Sequence, residues 1–301
     1  RTAACRFMAT CCAAVGGKVV DAPALADACT HVLREVAAAD AAALETDTAV
    51  PATFRVDCAL AEALGRLVRD SSRTAAPVRK AELAPTCALL RAALFDHAST
   101  CGHWYGACDA VLAATFTLEA DPEACVSEAL QSLADKAQLL SDEPEAKAGC
   151  LAKTLHAAGG AALLGLVAVE ELGVTLKKAS TVVEKKTIVE GDDDDLAAAA
   201  GDNNEGAEAE RDARLLRLVE ERIVGTKAEG FVAALAPVAA KIASRALARR
   251  SAVPGVLHRA AVLFLAKVSC VSRGVCEEYL PLLITTLAKA LDALARQNVA
   301  V

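Results

Sequence analysis

The residue types best suited to chemistry sit closest together in HASTCGHWYGAC, where His97, Cys101, His103 and Cys108 form an H-x3-C-x-H-x4-C pattern. Imidazole and thiolate are the preferred protein ligands of zinc, and four of them can close a tetrahedral site. This spacing matches no common zinc module, and Trp104 and Tyr105 mark the start of a helix there. The expected reading is a loop followed by a packed helix, with no metal. A second cysteine pair, Cys270 and Cys276, lies in VSCVSRGVCEEYLPLL, residues 268–283. Read as helices, LHRAAVLFLAKVSCVS ends one element, Ser272-Arg273-Gly274 is the break, and VCEEYLPLLITTLAKAL opens the next. Gly274 would then serve as a left-handed cap. The two cysteines fall on different helices and are expected to be packing residues, not a redox or metal pair.

Positive charge offers a different chemistry. Lys241, Arg245 and Arg249 recur every four residues and so share one helix face. Arg250, Arg259, Lys267 and Arg273 are close in sequence. Such cations hold a DNA phosphate backbone without reading bases. For any one of them the plainer reading is a solvated face. As a group they stand in a segment, 225–301, with ten Lys/Arg against four Asp/Glu. Its net +6 leaves −13 for the rest of a chain whose total is −7. A basic end on an acidic chain points to an anionic partner, DNA or an acidic protein segment.

Other catalytic patterns are missing from the sequence. GGKVVDAP at 16–23 lacks the upstream glycine and following Ser/Thr of a phosphate loop. There is no dinucleotide glycine pattern and no Ser/His/Asp order, and five scattered histidines suggest no catalytic centre. The run DDDD at 192–195 lacks the alternating ligands and later glutamate of a calcium loop. The expectation is a protein that is not an enzyme, with no cofactor and no small-molecule substrate.

The elements carrying these residues follow from composition. The chain of 301 residues is 54% hydrophobic but only 3% aromatic, because alanine supplies the difference. Alanine is the best helix former and is depleted in strands, so the fold class expected is all-α. In EADPEACV, Asp121 reads as an N-cap, with Pro122 at the first helical position and Glu123 in the first turn. GCLAKTLHAAGGAALLGLVAVEELGVTLKKA reads as one long helix. Its most apolar part, 159–169, stops at Glu170 and Glu171, short of the roughly 20 residues a bilayer span needs, so no membrane contact is expected. Twelve cysteines scattered among Ala, Leu and Val behave as small buried hydrophobes and suit a reducing compartment. The segment 190–210 carries nine acidic and no basic residues, and is expected to be a disordered insertion. It separates helical repeats at 1–189 from a basic set at 211–301.

Repetition shows within these helices. AALAP ends at Pro237 and EEYLP at Pro281, 44 positions later. Eight to ten residues past each proline come Arg245-Ala246-Leu247 and Lys289-Ala290-Leu291. ELAP, ending at Pro85, is a third copy. A period in the forties with paired helices is the mark of HEAT-type repeats, each of which buries an apolar face only against its neighbour. The expected architecture is therefore a solenoid of stacked antiparallel helix pairs, with the proline bending the first helix of a pair.

The stretch HRAAVLFLAKVSCVSRGVCEEYLPLLITTL also resembles a known family: condensin complex subunit 1, the HEAT-repeat non-SMC subunit of condensin I. Arg259-Ala260-Ala261, Cys270-Val271-Ser272, Cys276-Glu277-Glu278 and Leu280-Pro281-Leu282-Leu283 follow its pattern in order. Gly274-Val275 and Ser269-Cys270 depart from it. HWYGACDAVLAATFTLEADPEACVSEAL, EAERDARLLRLVEE and LARQNVAV resemble other parts of the family less sharply. The resemblance implies an internal slice of a longer, non-catalytic scaffold that serves chromosome condensation in mitosis. Its implied partners are the kleisin subunit, the SMC ATPase subunits, the second HEAT subunit and DNA or chromatin. The implied location is the nucleus and chromosomes, with the cytoplasm for part of the cell cycle. The alternative is another HEAT or armadillo scaffold, such as a nuclear-transport receptor or a vesicle-coat subunit.

Overall fold

The computed structural model describes residues 80–96, 103–140, 143–190, 212–225, 230–248 and 253–289, with single helical positions at 31, 206, 209 and 210. Helix α1 spans Lys80–Asp96, α2 His103–Leu118, α3 Pro122–Leu139 and α4 Pro144–Glu190. Helix α5, residues 212–218, runs into a π-helical turn, Val219–Val224. Then come α6 (Phe231–Leu247), α7 (Gly255–Ser269) and α8 (Arg273–Lys289). No strand occurs among the described residues, so the fold class is all-α, as the alanine-rich composition led us to expect. The expected helix at 51–70 and the opening echo RTAACRFMATCC lie outside the described residues.

Side chains make the helix ends. Asp121 accepts the Ala124 N–H at 3.2 Å and starts α3, with Pro122 and Glu123 behind it as the sequence indicated. The C-terminal carbonyls of α1 have no partner within their own helix. Trp104 Nε1 donates to Leu94 O at 3.0 Å, and Lys136 Nζ donates to Phe95 O at 2.9 Å. These bonds tie α1 to α2 and α3. Trp104 is fully buried and meets Phe95 edge-on at 5.9 Å between ring centres.

Helix α4 runs through the middle and packs against α2, α3, α6, α7 and the π-helical turn. Every residue from Ala152 to Ala162 is buried, so these turns are covered on all sides. Small residues make that possible. A Cβ added to Gly159 would lie 3.2 Å from Lys267 Cδ, 3.3 Å from Phe264 Cδ2 and 3.4 Å from Phe264 Cα. The backbone of α7 is therefore in close contact with α4. Farther out, Gly165 faces Ile223 and Gly173 faces Leu215, so the outer half of α4 lies against α5 and the π-helical turn. Residues 144–178 are long and apolar enough, by length and composition, to cross a membrane. The apolar stretch is thus longer than the 159–169 run alone, and its central turns, 152–162, are buried among the other helices.

Helices α6, α7 and α8 pack on one another in succession, and α6 also touches α8. The break between α7 and α8 is Cys270-Val271-Ser272, not the expected Ser272-Arg273-Gly274. Cys270 closes α7 in right-handed conformation, at φ −77° and ψ −19°. Ser272 Oγ accepts the Val275 N–H at 3.4 Å, so Arg273 and Gly274 already belong to α8. Gly274 needs no left-handed backbone because a serine cap starts the next helix first. The left-handed glycine is Gly225, at φ 75°, directly after the π-helical turn and against the backbone of Gly230. Pro85, Pro237 and Pro281 lie inside α1, α6 and α8, each on an exposed position. Glu190, expected to open the acidic insertion, is the last residue of α4, and positions 206, 209 and 210 are helical; residues 191–205 lie outside the described residues.

Candidate functional site

The apolar positions of α6 decide where its charges go. Val232, Ala236, Ala239 and Ala243 recur at helical spacing and are buried. The opposite face is then left to solvent, and Lys241 and Arg245 are both exposed on it, one turn apart. Neither is ion-paired among the described residues. Arg249 and Arg250 lie outside the described residues.

The other three candidates point elsewhere. Lys267, on α7, lays its aliphatic stem along Gly159, and its ammonium is 3.9 Å from where a Cβ on Gly160 would be. It is half-buried and faces Asp109 across that glycine. Arg259 is half-buried, and its charge acts on the Tyr105 phenol, whose pKa burial raises while the guanidinium lowers it. Arg273 is exposed and donates from Nε to Glu277 Oε1 at 2.7 Å, one turn on in α8. The seven candidate cations therefore do not form one surface. Lys241 and Arg245 share one, and Arg259 and Lys267 turn toward α2 and α4.

There they meet a polar seam that sequence reasoning missed. His156 of α4 and Asp109 of α2, 47 positions apart, form a 2.9 Å bond between Nε2 and Oδ1. The His156 ring stands edge-on to Tyr105, 4.9 Å between centres, and to Trp104 at 6.4 Å. Lys153, buried one turn earlier, places its ammonium 5.1 Å over the Trp104 ring. Asp109 is exposed on its outer side; partial desolvation against α4 would raise its carboxyl, but the His156 hydrogen bond and charge, with Lys267 behind, outweigh it and hold its pKa below the ordinary value. A His–Asp pair is part of a nucleophilic triad. Here no hydroxyl or thiol among the described residues is hydrogen-bonded to His156, and rings cover its sides. The seam acts as a clamp between helices. Nothing in the local sequence marks it, because the two residues meet only through packing.

The cysteines sort by burial. Cys108 is fully buried, which pushes its thiol well above the ordinary value, and burial raises Cys87 to about 11 despite its contact with Thr115 Oγ1. His97 and Cys101, the partners once considered for Cys108, lie outside the described residues. The helix does begin at His103, as Trp104 and Tyr105 suggested. Among the described residues no group of three His, Cys, Asp or Glu side chains could hold a metal. Cys276 is half-buried in the first turn of α8. Cys270 is exposed, its thiol bonded to Ala266 O at 3.4 Å, so this member of the pair is a helix-end residue and not the packing residue the sequence suggested. Farther along α8, Leu280, Ile284 and Leu287 are exposed.

No protein-family model matches this chain, and no curated protein matches its sequence.

Proposed function

We propose that this chain is a non-catalytic scaffold of HEAT-type helix pairs, acting in a condensin-like complex that organises chromosomes. The observation that carries the reading is the run from Arg259 to Leu283. It is similar to the condensin subunit in ordered detail, and it coincides with α7, the Cys270–Ser272 turn and the first half of α8. Two further features support it. Helices α6 and α8 repeat at 44 residues with their prolines on exposed positions, and each packs on α7. The exposed pair Lys241 and Arg245 suits a phosphate backbone. On this reading the partners are a kleisin, SMC ATPase heads, a second HEAT subunit and DNA, and the setting is the nucleus and chromosomes, with the cytoplasm for part of the cell cycle.

The test is a pull-down of the 301-residue chain with kleisin, SMC heads and duplex DNA as separate baits. Retention on kleisin or SMC heads is the expected result. Binding to neither kleisin nor SMC heads overturns the condensin assignment in favour of another helical-repeat scaffold.

A further inference from the structure

We infer that Lys289 is the third member of the basic surface begun by Lys241 and Arg245, so that the phosphate-binding edge spans two neighbouring helices. The inference rests on the DNA reading above and names a residue that reading did not include. Helices α6 and α7 pack along each other and are joined by residues 248–254; α7 and α8 are joined by Cys270–Ser272. Short connections between packed helices make hairpins, so α6 and α8 run in the same direction and end on the same side. The 44-residue register of the two prolines carries Arg245 onto Lys289. Both stand in the last turn of their helix, and both are exposed. Neighbouring packed helix axes are about 8–10 Å apart. Phosphates follow one another at about 3.4 Å along the axis of one strand, so the two cations span about three of them.

The remaining charges of this region sharpen the edge. Lys241 maps onto Thr285, whose hydroxyl donates to its own helix at Pro281 O (2.7 Å) and adds no charge. Glu277 and Glu278 lie toward the start of α8, and Glu277 is bonded to Arg273 there. Among the described residues, the acidic groups of α8 are thus at its far end from Lys289. A competing role exists for any cation in a last turn, which is to oppose the negative end of the helix dipole. That role would appear in stability and not in DNA affinity.

The experiment is fluorescence anisotropy of a labelled duplex titrated with the 301-residue protein over a range of salt. The variants are Lys289→Gln, Lys241→Gln with Arg245→Gln, and Arg273→Gln. The expected outcome for Lys289→Gln is a several-fold loss of affinity and a log–log salt slope shallower by roughly 0.9, one phosphate's share. Arg273→Gln should leave the slope unchanged, and far-UV circular dichroism should be the same for all. If the α6 double variant loses affinity and slope while Lys289→Gln keeps both, the two-helix edge is wrong and the DNA reading stands. If the parent protein shows no salt-dependent binding to duplex, both fall, and the surface belongs to an acidic protein partner.

Discussion

Replacing Gly149 and Gly159 of α4 with alanine should move stability in different directions, although both are the same change in the same helix. A glycine inside a helix costs about 1 kcal/mol relative to alanine, through the backbone freedom it loses on folding. Gly149 has open space where a Cβ would go, with nothing within 4 Å. Gly149→Ala should therefore stabilise by about 0.5–1 kcal/mol. At Gly159 the same gain is opposed by contact. Lys267 Cδ, at 3.2 Å, belongs to a flexible chain and can retreat. Phe264 is fully buried and offers both its ring edge at 3.3 Å and its own backbone at 3.4 Å. Moving it shifts α7 against α4, and overpacking of this kind costs about 1–3 kcal/mol. The overpacking term should win, leaving Gly159→Ala less stable than Gly149→Ala by about 1–3 kcal/mol. Urea midpoints of the parent and both variants, followed by far-UV circular dichroism, measure the difference. Equal stabilisation by both substitutions would refute the close crossing of α4 and α7.

Three further outcomes follow from the same geometry. Asp109 has a lowered pKa in the folded protein, so its ion-paired form contributes stability above the ordinary carboxylate range and loses it as pH falls through the lowered value. The gap in urea midpoint between the parent and Asp109→Asn should therefore hold from neutral pH down to the ordinary carboxylate value, about pH 4, and narrow only below it; a gap that stays constant on further acidification would rule out the carboxylate–His156 bond as its source. Thiol alkylation followed by peptide mapping should label Cys270 well before Cys87 and Cys108, since burial suppresses the thiolate of the latter two; equal rates would contradict their burial. Asp121→Ala should cost about 1 kcal/mol through the lost cap on α3, and an unchanged urea midpoint would show that the 3.2 Å bond contributes nothing.

Local signals carried most of what could be read in advance. The Asp121-Pro122-Glu123 start of α3, the helix at His103 and the existence of a long α4 are written in neighbouring residues, because capping and helix propensity act within a few positions; α4 nevertheless runs from 144 to 190, beyond the 149–179 read from the sequence. The cap of α8 was misplaced by one feature. Gly274 is a strong break signal, but Ser272 two residues earlier satisfies the helix start by itself, leaving glycine an ordinary helical position. The basic stripe is legible in the sequence only as a spacing, and its member Arg249 lies outside the described residues. Spacing by four puts Lys241 and Arg245 on one face of α6, and the structure keeps them there. Arg259, Lys267 and Arg273 are near in sequence only, and their directions depend on which side of α7 and α8 is covered.

What the sequence determined by itself is the class of structure. Alanine in place of aromatics forces helices that pack at close range, and Pro237 and Pro281, 44 positions apart, each fall on an exposed position inside a helix. The tertiary structure decided which charges meet. His156 and Asp109, 47 positions apart, pair because Gly159 and Gly160 let α7 and α2 close on α4, which also draws Lys267 inward and away from solvent. Helix propensity is a property of a few adjacent residues, whereas the environment of a charge is set by whatever packs over it, and that depends on the whole chain.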